Sequence, residues 1–168
     1  GQHGNHNGTR RLMIGVTEEV TCDKFLTWGW TEKLSQYTPA FVFKTVGKVS
    51  KNYDPQGHLL LIQLHFPHRI MLWDEIYEFG EYFKAQQTFV GGLNPLPKEK
   101  LILRLHPTFS QYNWGEESRW KDFDSSLKID NSNVKISRLI AQSRLVIHSY
   151  DSTGILETLS QNIPTLAF

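Results

Sequence analysis

His106 stands directly before Pro107 at the end of the apolar run "LILRLHP", and about forty residues later the chain reads "RLVIHSYDSTGILETLSQNIPTLAF", from Arg144 to Phe168. Imidazole, hydroxyl and backbone N–H groups placed at such points are donors to an anion. Leu145-Val146-Ile147 is short and apolar, as a strand buried on both faces should be, and Pro164–Phe168 begins another such run. Between them Ile155, Leu156 and Leu159 fall on one side of a helix and Thr153, Glu157 and Ser160 on the other, which predicts a βαβ crossover. The turn Ser149–Gly154 then lies at the carboxyl end of a parallel strand and at a helix N-terminus. Unpaired N–H groups and roughly half a positive charge from the helix dipole favour phosphate there.

Pro107 cannot donate a ladder hydrogen bond, so it ends its strand and sets the direction in which His106 leaves. His106 and the Asp151-Ser152-Thr153-Gly154 turn are therefore expected on one edge of the sheet, facing one ligand. A charge-assisted bond from the imidazole to a phosphate oxygen is worth about 1.5–3 kcal/mol. Glu157, one turn beyond Thr153, is placed to accept from a ribose hydroxyl. A plainer reading stands beside each of these. Asp151 or Ser152 serves as an N-cap worth about 1 kcal/mol, His106 is a polar strand terminus, and Glu157 is a solvated helix residue.

The elements that must carry these residues alternate from His58 onward. "HLLLIQLHF" (His58–Phe66), "EKLILRLHP" (Glu99–Pro107), "SLKID" (Ser126–Asp130), the run near 144–148 and the run after Pro164 read as strands. Between them, Met71 to about Phe89 places Leu72, Ile76, Phe79 and Phe83 at helical spacing, and the Gly91–Pro97 segment breaks that helix. Thr108–Phe123 reads as a surface helix or structured loop. Ser132–Gln142 reads as a helix capped by Ser132 or Asn133. The alternation predicts an α/β fold with a Rossmann-like parallel sheet and helices on both faces, over residues 58–168. Residues 1–57 form an N-terminal, interdomain-like segment with one or two strands, for which Asp23–Trp30 and Ala40–Lys48 are the candidates.

The chain's 168 residues suffice for one domain with a full core. Its charges nearly cancel, at +1, and no Lys/Arg run is present, which argues against nucleic acid as a partner. The single Cys22 leaves no internal disulfide and suits a reducing, cytoplasmic compartment. No apolar run approaches the length of a membrane span. His3 and His6 lack a nearby carboxylate or thiol, so no metal is expected, and no cofactor.

"LRLHP" followed by "SRLVIHSYDSTGILETLSQNIPTLAF" resembles the C-terminal nucleotide-binding half of GT-B glycosyltransferases, particularly bacterial surface-polysaccharide transferases. Several GT-B-like groups use cytidine-nucleotide donors: sialyltransferases, Kdo transferases and the glycerophosphotransferases of teichoic acid synthesis. In them an HP motif and a later Ser/Thr pair hold the donor phosphate. The matching residues here are His106, Pro107, Ser152 and Thr153. "GQHGNHNG" followed by "KFLTWGW" is similar to the interdomain region of transferases of surface-carbohydrate synthesis that resemble retaining β-Kdo transferases.

The resemblance covers nearly the whole chain. It implies a truncated second half of a two-domain enzyme, with the acceptor site and the catalytic carboxylate elsewhere. The donor would be a nucleotide-sugar, a CMP-linked acidic sugar such as Kdo. The acceptor would be a glycan or glycolipid, with peripheral membrane association of the full-length protein compatible with that role. The opening glycines would let the backbone approach the ligand, and His3 would act as acid, base or phosphate donor. His68 and Arg69, in "LHFPHR", would contact a sugar carboxylate or pyrophosphate, or else form a basic surface turn. Rival functions on the same residues are a glycerophosphotransferase, a sugar-nucleotide epimerase and a non-catalytic α/β binding module.

Overall fold

The computed structural model describes residues 1–4, 17–33, 36–47, 53–64, 79–108 and 115–168. Leucine-rich β3 (His58–Ile62) is flanked by β4 (Leu101–Arg104) and β6 (Ser143–His148), with β5 (Lys128–Asp130) beyond β4 and β7 (Thr165–Ala167) beyond β6. All four pairings are parallel, giving the order β5-β4-β3-β6-β7. The three middle strands each carry an apolar run, Leu59–Ile62, Leu101–Leu103 and Leu145–Ile147, because both faces of the sheet are covered. The expected Rossmann-like α/β architecture is therefore present.

Alternation along the strands divides the core into two layers. Leu59, Leu61, Leu101, Leu103 and Ile147 face one side, where they meet Val90 of α2 (Phe79–Gly91) and Trp120 of α4 (Glu116–Phe123). Phe83 meets the Trp120 ring edge-on, with centroids 5.1 Å apart. Leu60, Val146 and Ile102 face the other side. There they pack on Leu139 and Ile140 of α5 (Ile136–Ala141) and on Ile163, just after α6 (Thr153–Ser160). The chain thus winds outward from β3 through β4 to β5 over one face and returns through β6 to β7 over the other. The direction reverses between β3 and β6. In open parallel sheets that reversal opens the crevice in which ligands bind, at the carboxyl ends of the strands.

Several local expectations are corrected. Over its described residues, 40–47, the expected Ala40–Lys48 strand is not formed: Phe43–Thr45 forms a 3-10 turn, closed by Thr45 N and Oγ1 donating to Val42 O, each at 3.0 Å. Its alternating aromatics have no sheet face to bury against, and Phe41 and Phe43 pack on each other at 4.9 Å in partial exposure. The strand lies earlier, at β2 (Tyr37–Pro39), paired in parallel with β1 (Phe25–Thr27) apart from the main sheet. The Gly91–Pro97 breaker does end α2, but Pro95 then starts the short helix α3 (Pro95–Glu99), since a first-turn proline lacks only an N–H that would be unpaired anyway. Neither Ser132 nor Asn133 caps α5. Lys135 holds that position, and Ser132, in a left-handed conformation at φ 64°, donates to Leu105 O at 2.6 Å. A short helix, α1 (Thr17–Val20), precedes β1. Leu72 and Ile76 lie outside the described residues.

Candidate functional site

The two strands at which the winding reverses, β3 and β6, are tied together at their carboxyl ends. Ser149 Oγ donates to Ile62 O at 2.7 Å, which leaves Tyr82 Oη, also 2.7 Å away, to donate to Ser149 Oγ. Tyr82 Oη in turn accepts from Leu64 N at 2.8 Å. Each hydrogen is used once, and burial pushes the Tyr82 hydroxyl up to about 12, so it stays protonated as this chain of bonds requires.

Beyond β6 the turn is capped by Ser152 and not by Asp151. Ser152 is extended (φ −125°, ψ 151°), 8% exposed, and its Oγ accepts from Gly154 N at 3.0 Å; Asp151 is exposed. Beneath the cap lies His148, the last residue of β6 and only 1% exposed. Burial lowers its imidazole to about 4, so it is neutral at neutral pH. Thr158 Oγ1 donates to the carbonyls of Gly154 (2.9 Å) and Ile155 (3.0 Å), so the His148 proton is assigned to Nε2, which faces Thr158 Oγ1 at 3.4 Å. Nδ1 is then the acceptor facing Ser152 Oγ, at 3.5 Å. That contact is long, and a phosphate oxygen arriving at the helix start can replace it as partner of the Ser152 hydroxyl hydrogen. Burial raises the Tyr150 hydroxyl, opposed by hydrogen bonding with Ser152. Gly154 is required by this packing: a Cβ there would stand 2.8 Å from His148 Cε1 and 3.0 Å from Ser152 Oγ.

His106 leaves the end of β4 with Nδ1 2.8 Å from Thr108 Oγ1 and accepting from Thr108 N at 3.3 Å, so the neutral ring carries its proton on Nε2. Pro107 beside it is exposed. Leu105, just past the end of β4, is buried in the α2–α4 layer. β4 and β6 both neighbour β3, two strand spacings or roughly 10 Å apart. His106 and the Ser152–Gly154 turn follow the carboxyl ends of these two strands and so lie on one edge of the sheet. Thr153 is partly buried beside Gly4, whose added Cβ would lie 3.5 Å from Thr153 Oγ1. Glu157 is paired with Lys44 at 3.4 Å. His3 is exposed, one residue from Gly4. His6, His65, His68 and Arg69 lie outside the described residues.

A separate cleft of about 380 Å³, walled by Asp54, His58, Lys100, Lys128 and Gln142, opens at the amino ends of the strands. Its lysines are committed, Lys100 Nζ to Gln56 O at 3.0 Å and Lys128 Nζ to Glu99 O at 2.9 Å, and burial lowers His58. The carboxyl edge carries instead a helix start with the hydroxyl side chains of Ser152 and Thr153.

The model of the LIC12162 family transferase matches residues 1–168. The chain belongs to that family. Neither a curated protein nor a solved structure matches it. This transferase has, among its described residues, no helix long and apolar enough to cross a membrane. Four of its site residues carry little sequence signal. His148 is the polar end of an apolar strand, Lys44 sits in a segment that reads as a strand, and Tyr82 and Ser149 meet across 67 residues.

Proposed function

We propose that this transferase binds a nucleotide-activated sugar, a CMP-linked acidic sugar such as Kdo, and passes the glycosyl group to a glycan or glycolipid in surface-polysaccharide synthesis. What supports the reading is the shared carboxyl edge of His106 and the Ser152-Thr153-Gly154 helix start, which follow the strands flanking the central one. An acceptor hydroxyl attacks the anomeric carbon and loses its proton to a base or to solvent. The bond from that carbon to the phosphate oxygen breaks, and CMP leaves with the electron pair. Charge grows on the departing phosphate, where the α6 dipole, the hydroxyls of Ser152 and Thr153 and the Nε2–H of His106 stabilise it. Glu157, released from Lys44, accepts from a ribose hydroxyl.

A few polar contacts, less the entropy lost on association, correspond to a CMP Kd of roughly 0.1–5 mM. Titration of the isotopically labelled protein with CMP and, separately, with inorganic phosphate tests the nucleotide part. CMP should perturb the turn at 152–154 and the Glu157 region, and phosphate the turn alone. Identical perturbations by both would withdraw the nucleotide. Mass analysis of products from the full-length enzyme separates glycosyl transfer from glycerophosphate transfer and from epimerisation.

A further inference from the structure

Gln2 is 6% exposed although its neighbours Gly1 and His3 are exposed, and every polar group of its side chain is used. Its Oε1 accepts from Trp28 N and Trp30 Nε1, both at 2.8 Å, and its Nε2 donates to Gly4 O at 2.9 Å. Its backbone N donates to Leu26 O at 2.7 Å. The Trp28–Trp30 turn that supplies two of these donors is itself closed by Thr27 Oγ1 donating to Trp30 O. One amide thus fastens the first four residues to β1. At one end of that stretch Gly1 lies against Leu26 and the Phe43 ring, and at the other Gly4 lies against Thr153. His3 lies between them, exposed and next to the Gly4 that approaches Thr153 of α6.

We infer that Gln2 is a positioning residue, whose amide holds the Gly1–Gly4 stretch with Gly4 against the start of α6 so that His3 meets the phosphate bound there. The inference rests on the reading of that helix start as a phosphate site. A buried, fully paired glutamine is a costly way to anchor a glycine-flanked segment, because its polar atoms must all be matched. Holding a donor over an anion site is a role that needs such anchoring. A loosely tethered His3 would lose its contact to chain entropy.

The test uses the full-length transferase with CMP as probe. In the wild type an NOE is expected between the His3 ring and the H5′ protons of CMP, together with perturbation of Thr153. Gln2→Met should abolish the NOE and weaken CMP about threefold, the contribution of one hydrogen bond. In a His3→Ala background the same change should weaken CMP no further, whereas a merely structural Gln2 would weaken it equally in both backgrounds. Gln2→Glu keeps the acceptor for both tryptophans and removes the donation to Gly4 O, so it serves if Gln2→Met does not fold. CMP binding at Thr153 without contact to His3 would overturn the role of Gln2 and leave the phosphate site standing. Absence of any CMP effect at Thr153 would overturn both.

Discussion

Acid should destabilise this protein through His148. An unfolded histidine titrates near 6.5, whereas burial holds the native imidazole near 4, so the unfolded chain binds the proton first. Stability is therefore full above about pH 6.5 and is lost as pH falls toward 4. At about 1.4 kcal/mol for each pH unit between the two values, the whole effect is roughly 3 kcal/mol, of which about 2.5 is lost between about pH 7.5 and pH 4.5. His148→Leu isolates it. Ser152 keeps Gly154 N, and Thr158 keeps its two helix carbonyls and the Thr165 hydroxyl at 2.9 Å, so no strong bond is orphaned. The variant should lie within about 1 kcal/mol of wild type near pH 7.5, the usual range for a core swap of similar volume. Urea unfolding of both proteins at the two pH values gives four free energies. The wild type should lose about 2.5 kcal/mol more than the variant on acidification. Equal losses would mean that His148 is charged in the native state, and that the cap above it is packed otherwise than described.

Gly154→Ala drives a methyl into the buried His148 ring and should cost about 1–3 kcal/mol, read as a lowered Tm; an unchanged or raised Tm would contradict that packing. Asp130→Ala leaves the buried Arg104 guanidinium with Val134 O, at 2.7 Å, as its one other hydrogen-bond partner among the described residues, and should cost about 3–5 kcal/mol in urea. A loss below about 1 kcal/mol would show that water reaches the arginine. Lys44→Met breaks the solvent-exposed pair with Glu157 and should shift stability by no more than about 0.5 kcal/mol, with a smaller shift in high salt.

Much of the sheet is legible in the sequence because β3, β4 and β6 are buried on both faces, so their apolar runs stand out from polar turns. The Ser152-Thr153-Gly154 start of α6 is legible for a local reason: caps and the crossover spacing are set within a few residues. Which residue caps is not, since Asp151 and Ser152 are equally able and the choice falls to the one that His148 and Gly154 draw inward. Long-range partners leave no periodic trace. Gln2 meets Trp28 and Trp30 from 26 and 28 residues away, and Lys44 reaches Glu157 across the chain. The Phe41–Phe43 alternation misleads because a period of two predicts a strand only where a sheet face exists to receive it.

The most direct measurement of the phosphate-cradle claim is CMP affinity in Thr153→Ala, His106→Ala and their combination. Ser152→Ala is a poorer probe, because Ser152 also caps α6 and its loss removes about 1 kcal/mol of stability. If the helix start and His106 hold one phosphate, Thr153→Ala should weaken CMP by about 0.5–1.5 kcal/mol, roughly two- to twelvefold. His106→Ala should weaken it by about 1.5–3 kcal/mol, and the double variant by less than their sum. CMP affinity unchanged in both single variants, with the fold intact, would contradict the cradle and leave His106 and Thr153 as structural residues of the transferase.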